Sequence, residues 1–333
     1  MNTEIIKQLA ILIAGFTLLV KGADLFVDGA SGIAKKFGIP ELVIGLTIVA
    51  MGTSAPEAAV SIAAASKGSA GISIGNVIGS NIMNIFIILG IVAAIVPLAI
   101  EKSTLRYEMP FTILVTVLFV VLGKDGMVTR TDGFILWVGL LIYLAYLLFQ
   151  TKQKAPDTAS AASGTDGSGK NGASIPEPAD SNGKAQPSVW YLIALTIAGL
   201  VVVLVSSDYA VDAAVALAKM FSISDRVIGL TIVALGTSLP ELATSVTAAL
   251  HGNGDMAVGN VIGSCIFNIL FVLGTSSVIL PIECSQSFLS DAFVAVAATV
   301  LLLLFGFTQR KIVRWEGLTL LCCYVAYCYI ALI

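Results

Sequence analysis

The chain carries the sequence GLTIVAMGTSAPE at residues 45–57 and repeats it as GLTIVALGTSLPE at residues 229–241, an offset of 184 (229 − 45). Each copy ends in a glutamate, Glu57 or Glu241, that lies within apolar sequence. A carboxylate at the centre of a bilayer costs at least ~2.5 kcal/mol. Both copies of the repeat keep such a carboxylate at the same position in spite of this cost. The repeat therefore indicates a bound cation rather than helix packing.

A second motif follows each copy at the same distance. GNVIGSNIMNI at residues 75–85 returns as GNVIGSCIFNI at residues 259–269, without a gap in the alignment. Residues 21–36 recur more loosely at 205–220, so we expect the first apolar helix to belong to the repeat and not to be a cleaved signal peptide. An internal repeat with a duplicated intramembrane carboxylate is typical of a transporter.

The composition predicts a polytopic membrane protein. Charged residues make up 12% of the chain, hydrophobic residues 57%, and the mean hydropathy is +0.96. A soluble domain has about 25% charged residues. The net charge of −3 arises from few, mostly loop, charges and indicates neither a nucleic acid nor a protein partner. The five cysteines lack metal-ligand spacing and are interpreted as small buried hydrophobic residues.

Hydropathy predicts ten transmembrane helices in two sets of five. The apolar stretches lie near residues 5–34, 42–66, 72–97, 106–122, 132–149, 189–219, 226–250, 256–280, 289–306 and 315–332. An odd number of spans in each half means that the two repeats have opposite orientations. The predicted fold is therefore an all-α polytopic membrane protein with two inverted five-helix repeats, whose helices are broken at a mid-membrane site.

The predicted organisation is a first half over residues 1–150, a flexible linker over 151–187 and a second half over 188–333. The linker is rich in Ala, Ser, Gly, Pro and Asp and has no apolar periodicity. Lys and Arg are more frequent in the loops that lie on the linker side, so the linker is predicted to be cytoplasmic and both termini external.

The first motif places polar groups on one helical face. Ala50, Thr53, Ser54 and Glu57 stand at i, i+3, i+4 and i+7. The corresponding residues of the second copy are Ala234, Thr237, Ser238 and Glu241. Each motif also contains a proline, Pro56 or Pro240, which should break the helix and leave carbonyl groups unpaired, as a dehydrated cation requires.

The second motif supplies further oxygen atoms at a spacing of four residues. These residues are Asn76, Ser80 and Asn84 in the first copy and Asn260, Ser264 and Asn268 in the second. Two carboxylates with several amide and hydroxyl oxygens suit Ca²⁺, which takes about 6–8 oxygen ligands. The glycines of this motif also fit close helix packing of the small-xxx-small type.

Several alternatives follow from the residues alone. The one histidine, His251, lies in a predicted loop, so no histidine-dependent catalytic site or paired-histidine metal site can be assembled in the membrane, and no phosphate-binding loop is present. The chain is therefore not expected to be an enzyme or an ATP-driven pump. A proton-coupled cation exchanger, a passive cation channel and a non-transporting scaffold stay open at this point.

The paired motifs resemble the two alpha repeats of the sodium/calcium exchanger family, within the Ca²⁺:cation antiporter superfamily. The resemblance covers nearly all of both halves and implies a prokaryotic-type antiporter in the cell (inner) membrane, in which Na⁺ entry drives Ca²⁺ export by alternating access. It implies Ca²⁺ and Na⁺ as transported ions, the bilayer as environment and no cofactor.

The resemblance also implies a role for each matching residue. Glu57 and Glu241 match the central Ca²⁺ ligands, and Asn84 and Asn268 match the central polar pair. The remaining matches are Na⁺-site ligands: the side chains of Thr53, Ser54, Thr237, Ser238, Ser80 and Ser264 and the backbone carbonyls of Ala50 and Ala234. Members that also transport K⁺ tend to have acidic residues at the polar pair, so the two asparagines imply exchange without K⁺.

Overall fold

The computed structural model describes residues 2–68, 70–154, 187–221 and 234–332. Most of the predicted linker and the first residues of the second GLTIV motif lie outside these ranges. The helices are α1 (Asn2–Phe37), α2 (Glu41–Thr53), α3 (Ala55–Ser66), α4 (Gly71–Ile95), α5 (Thr104–Gly123), α6 (Arg130–Lys154), α7 (Val189–Met220), α8 (Ala234–Thr237), α9 (Leu239–Leu250), α10 (Gly254–Ile279), α11 (Gln286–Gln309) and α12 (Arg314–Leu332). Four two-residue strands complete the fold: β1 (Leu98–Ala99), β2 (Met127–Val128), β3 (Ile282–Glu283) and β4 (Lys311–Ile312).

The helices confirm a polytopic helical membrane protein. Within the described ranges, seven helices are long and apolar enough to span a bilayer, and the bent pair of α2 and α3 raises the number to eight. The predicted span at 226–250 is described only from residue 234, and α12 is 19 residues long and not among the seven. Ten spans therefore stay a prediction.

The short strands join the two halves of the chain in a reciprocal way. β1 pairs with β4, placing Leu98 opposite Ile312, and β2 pairs with β3, placing Val128 opposite Ile282. The repeat offset of 184 converts the first pair into the second (98 + 184 = 282; 312 − 184 = 128). When residue i of one unit contacts residue j of the other, and residue j of the first contacts residue i of the second, the two units are related by a two-fold axis.

The long helices α1 and α7 cross with the same reciprocity. A Cβ atom on Gly15 would lie 3.1 Å from the Cβ of Ala210, and one on Gly199 would clash with the backbone nitrogen of Phe26. Gly15 and Gly199 are repeat equivalents, as are Phe26 and Ala210. The glycines therefore allow close contact between the two helices, as the small-residue interfaces of membrane helices do.

Helix α10 lies at the centre of the molecule. In its most apolar 18-residue window, 94% of the residues are buried, against 28% for the window in α7. It packs against α2 through Gly259 and Gly263, which meet the backbone of Leu42 and Leu46. Helix α4, its repeat equivalent, is also largely buried. The polar stripes of α4 and α10 are thus held within protein rather than exposed to lipid.

Candidate ion-binding site

Two helix breaks place the first motifs at the centre of the molecule. Helices α2 and α3 meet at 48°, and Ser54 between them has φ −80° and ψ 9°. Ser238 has the same bridge conformation, with φ −91° and ψ 5°, between α8 and α9. The prolines, Pro56 and Pro240, sit in the first turns of the helices that follow. A proline in the first turn breaks no helical hydrogen bond, because the N–H that it lacks would have no partner there. The backbone instead departs from helical geometry at Ser54 and Ser238, two residues before each proline.

The two glutamates are buried and are linked across the halves. Ser54 Oγ donates a hydrogen bond to Glu241 Oε1 at 2.9 Å, and Ser238 Oγ donates to Glu57 Oε1 at 3.3 Å. Each glutamate is 1% exposed, and each is hydrogen-bonded to the serine three residues before the other glutamate. Glu57 Oε2 and Glu241 Oε2 are buried without a hydrogen-bond partner. A buried carboxylate oxygen without a donor is costly unless a cation or a proton compensates its charge.

The asparagines of the second motif bring two more unpartnered oxygens. Asn84 and Asn268 are each 1% exposed, and the Oδ1 atom of each is buried without a partner. Each residue also begins a π-helical turn, Asn84–Ile88 in α4 and Asn268–Leu273 in α10. Such turns occur often at functional sites, because the extra residue shifts which side chains face the site.

The hydroxyl ligands predicted from the sequence differ in their surroundings. Thr53 Oγ1 donates to Asn260 Oδ1 at 3.1 Å and also approaches Glu241, while Thr237 approaches Glu57. Ser264 Oγ is buried and has no partner, and Ser80 is 4% exposed. These side chains lie beside the two glutamates or on the polar stripes of α4 and α10, where they could act as neutral ligands.

The backbone carbonyls predicted at Ala50 and Ala234 are less clearly placed. The Ala50 carbonyl accepts the N–H of Ser54 at 3.0 Å and lies 3.4 Å from Thr53 Oγ1, so both of its lone pairs have a donor within reach. Ala234 is the first residue of α8 and follows directly on residues outside the described ranges. Both assignments therefore stay predictions.

Three asparagines hold the site together: Asn76 and Asn260, which belong to the predicted polar stripes, and Asn81, which does not. Asn76 Nδ2 donates to the Glu57 carbonyl at 3.2 Å, and Asn260 Nδ2 donates to the Glu241 carbonyl at 3.4 Å. The sequence predicts that Asn76 and Asn260 supply oxygen atoms to a cation, whereas in the structure their amide nitrogens donate to the backbone of the two glutamates. Asn81 Oδ1 accepts from Asn268 Nδ2 at 3.1 Å.

Asn81 was missed because the repeat does not preserve it. Its equivalent in the second half is Cys265, and the two residues contact each other. Asn81 Nδ2 donates to the Cys265 carbonyl at 3.1 Å, and the Cys265 thiol lies 3.9 Å from the Asn81 carbonyl. Two repeat-equivalent residues can contact each other only near the pseudo-two-fold axis. Because one of the pair is Cys and the other Asn, comparing the two repeats does not mark this position as a motif.

A cavity of about 580 Å³ adjoins the site on one side. It is lined by Pro56 and Thr237 and, from α7, by Asp208 and Asp212. The repeat equivalents of these aspartates on α1, Asp24 and Asp28, instead lie 3.7 and 3.5 Å from the two ring nitrogens of His251. A second cavity, of about 280 Å³, is lined by Asp24 and His251, so each side of the site has a cavity and the two differ in size and lining.

The arrangement can bind a cation through two carboxylates and several neutral oxygens. Among the described residues, no three His, Cys, Asp or Glu side chains are grouped as a metal site. Any cation would thus depend on amide and hydroxyl oxygens beside Glu57 and Glu241. Hard oxygen ligands of this kind suit Ca²⁺ and Na⁺ and do not favour transition metals.

Comparison with known proteins identifies the family. The family model described as sodium/calcium exchanger protein matches residues 7–152 and 191–333. The sodium/calcium exchanger MaX1 of Methanosarcina acetivorans is 36% identical over 336 residues, covering 95% of this chain and 96% of that protein. The inner membrane protein YrbG of Escherichia coli is 38% identical over 274 residues, covering 82% of this chain and 80% of YrbG.

Solved structures give the same result. The sodium-calcium exchanger NCX_Mj, soaked with 10 mM Na⁺ and zero Ca²⁺, matches with a TM-score of 0.78 and 36% identity over 97% of this chain and 98% of that one. The exchangers among these relatives are transporters and not enzymes. The chain therefore belongs to the sodium/calcium exchanger family, as its paired motifs predict.

Proposed function

We propose that the chain is a secondary antiporter that exchanges Na⁺ for Ca²⁺ and exports Ca²⁺ from the cell. The single observation that carries this proposal is the pair of buried glutamates, each tied by one oxygen to the opposite half and each with its other oxygen unpartnered. The paired carboxylates hold at most two negative charges, which match one Ca²⁺. Family membership and the names of the relatives favour Na⁺ as the exchanged ion.

The site residues are proposed to act in two groups. Glu57 and Glu241, with Asn84 and Asn268, would form the Ca²⁺ site, because these four residues contribute the unpartnered carboxylate and amide oxygens. The hydroxyl and carbonyl ligands predicted from the motifs would bind Na⁺ beside it. Ser54 and Ser238 of the Na⁺ group contact the carboxylates of the Ca²⁺ group, so an ion bound at either group would occupy the same glutamates. The two ions would therefore compete, and competition for one site is what an exchange reaction requires.

Ten spans in two inverted repeats remain the proposed topology. With both termini external, β1 and β4 fall on the cytoplasmic side and β2 and β3 on the external side. This placement agrees with the observed pairing of β1 with β4 and of β2 with β3. The proposed location is the cell (inner) membrane of a prokaryote, with residues 1–150 and 188–333 as the two halves and the linker in the cytoplasm.

Alternating access is supported by the helix breaks that carry the two glutamates at equivalent positions of the two halves. The cavity beside Asp208 and Asp212 would be the external approach, and the smaller cavity beside Asp24 and His251 would be the internal one. A fixed pore does not need a broken helix in each half at its ion site. Glutamates on broken helices in inverted halves therefore favour an exchanger over a passive channel.

Flux measurements in proteoliposomes test the proposal. Vesicles loaded with Na⁺ should take up radiolabelled Ca²⁺ only while an outward Na⁺ gradient exists, and external K⁺ should not change the rate, since Asn84 and Asn268 add no charge. Proton coupling is the competing function, because two adjacent carboxylates can also bind protons. Uptake that follows a pH gradient and ignores Na⁺ would establish proton coupling and refute the proposal, and uptake without any gradient would indicate a channel.

A further inference from the structure

Three cationic side chains from the two halves of the chain line one cavity beside the strand pair of β1 and β4. The cavity has a volume of about 400 Å³ and is lined by Lys102, Leu105, Arg106, Phe307 and Arg310. Among the residues that the structure describes, no carboxylate joins this lining, and none of the three cations forms an ion pair. The cavity therefore presents three positive charges that attract an anionic ligand.

The backbone holds the three cations at two joined helix ends. Lys102 and Arg106 stand at i and i+4 where α5 begins, so they share one helical face. Arg310 directly follows α11, and its backbone carbonyl accepts the N–H of Ile100 at 2.9 Å. This hydrogen bond continues the pairing of β1 with β4, which ties the start of α5 to the end of α11. The cations thus reach the cavity from a fixed backbone.

Arg310 has a backbone conformation that favours glycine. Its φ of 52° and ψ of 33° are left-handed, and within the described ranges it is the one residue other than glycine with a positive φ. Its repeat equivalent is Gly126 (310 − 184 = 126), which has a φ of 93°. The first half therefore builds this turn with the residue that the backbone prefers, and the second half keeps a strained arginine. Strain that a fold retains points to a function of the side chain.

The cationic lining is found in only one of the two repeat-equivalent places. The residues equivalent to the five lining residues, in the same order, are Gln286, Leu289, Ser290, Gly123 and Gly126. The turn and its strand pair are thus repeated without any of the three cations, so the fold does not require them. A topology signal could place cations on this side, but it does not require one at a left-handed position.

An apolar stripe runs from the cavity along the outside of α11. Phe307, in the last turn of this membrane-spanning helix, is 64% exposed, and Leu304 and Val300 are 57% and 37% exposed. The three residues stand at i, i+4 and i+7, so they share one face of the helix. Large apolar side chains exposed on a membrane-spanning helix contact acyl chains. A ligand in the cavity can therefore have both an anionic group and an acyl chain.

We propose that this cavity binds the phosphate of an anionic phospholipid, with one acyl chain along the apolar stripe of α11. The guanidinium groups of Arg106 and Arg310 would donate N–H groups to the phosphate oxygens, and Lys102 would add a third positive charge. A zwitterionic lipid would bring its own cation among these three, so it should bind more weakly. The cytoplasmic leaflet is the one implied by the proposed topology, but binding itself does not depend on that topology.

The test compares lipids by thermal unfolding of the purified protein in an uncharged detergent. Phosphatidylglycerol should raise the melting temperature by several degrees, and phosphatidylcholine with the same acyl chains should raise it much less. Equal shifts with the two lipids would overturn the proposal. Inorganic phosphate without lipid should leave the melting temperature unchanged, and a rise as large as that with phosphatidylglycerol would identify a site for free anions and refute the lipid assignment. These comparisons use the wild-type chain alone.

Two variants connect the effect to the cavity. Arg310→Gly removes a cation and restores the residue found at position 126, so without lipid it should unfold at or above the wild-type temperature. It should nevertheless lose at least half of the shift produced by phosphatidylglycerol. Lys311→Gln is the matched control, because Lys311 is the next residue and is exposed but does not line the cavity.

The control variant should keep most of the shift. An equal loss in both variants would show that the lipid responds to surface charge in general, and would overturn the assignment to the cavity. Because none of these measurements uses transport, a failed antiport assay would not affect their outcome.

Discussion

At the scale of single residues, the ion-binding site depends on two carboxylates in equivalent positions. Glu57→Gln and Glu241→Gln keep the size of the side chain and one carbonyl oxygen but remove a charge and bidentate ligation. Changes to outer-shell partners alone can lower metal affinity by about 10–100-fold, so loss of a direct ligand should lower Ca²⁺ flux by at least ~100-fold.

The measurement is Ca²⁺ uptake into proteoliposomes at matched protein content. Glu283→Gln is a suitable control, because Glu283 lies in strand β3 outside the long helices and should leave flux unchanged. Wild-type flux in both site variants would remove the glutamates from the site.

Asn81 provides a second prediction at this scale. Its side chain orients Asn268 and donates to the Cys265 carbonyl, so Asn81→Ala should weaken apparent Ca²⁺ affinity by about 10-fold. Because Asn81 acts through Asn268, the double variant Asn81→Ala/Asn268→Ala should lose little more affinity than Asn268→Ala alone. Ca²⁺ titration of the transport rate measures all three variants. Fully additive losses would show that the two asparagines act independently.

The residues of the site could be predicted from sequence only where the repeat preserved them. The glutamates, the GTS hydroxyls and the Asn84–Asn268 pair all occur twice at the same offset. Asn81 does not, and its role depends on a contact between the two halves that no local pattern encodes. The carbonyl donors at Ala50 and Ala234 depend on backbone geometry, which side-chain identity does not determine.

At the scale of helices, the contact of α10 with α2 leaves no room for a larger residue at Gly263. A Cβ atom there would lie 2.8 Å from the Cβ of Ala50 and from the backbone of Leu46. Gly263→Ala should therefore push α10 away from α2, destabilise the protein by about 1–3 kcal/mol and reduce Ca²⁺ flux.

Thermal unfolding and flux of the same preparation check this effect. The control is Gly71→Ala, because no described atom lies within 4 Å of a Cβ atom placed there. An alanine in that helix should leave both measurements near wild type or raise stability slightly. Equal behaviour of the two variants would mean that the α2–α10 contact is not close-packed.

Sequence patterns predicted the helices better than their irregularities. Hydropathy located the long helices, and the prolines indicated the breaks at Ser54 and Ser238 to within two residues. The π turns at Asn84 and Asn268 gave no sequence signal, because an extra residue in a buried turn leaves the apolar composition unchanged. The two-residue strands could not be predicted either, since their only partners lie in the other half of the chain.

At the scale of the whole molecule, inversion predicts opposite accessibility for equivalent positions. Met127 in β2 and Lys311 in β4 are repeat equivalents and are both exposed. In a cysteine-free background, Met127→Cys should react with an impermeant thiol reagent from outside the cell, and Lys311→Cys only from inside.

The strand partner supplies the control for this experiment. Glu283→Cys should react from the same side as Met127→Cys, because Glu283 and Met127 are paired across β2 and β3. Labelling of Met127→Cys and Lys311→Cys from one side would show that the repeats are parallel rather than inverted.

The contact between Asn81 and Cys265 bears on the origin of the chain. In a homodimer of a single five-helix protein, one residue would have to face its own copy at this position, so both sides of the contact would be identical. Here they differ, and only one of the two central asparagines, Asn268, donates a hydrogen bond to the Asn81 amide oxygen. Gene duplication followed by fusion into one polypeptide removes the requirement for identical sides. The Asn–Cys contact is therefore a difference between the repeats that a symmetric ancestor could not have carried.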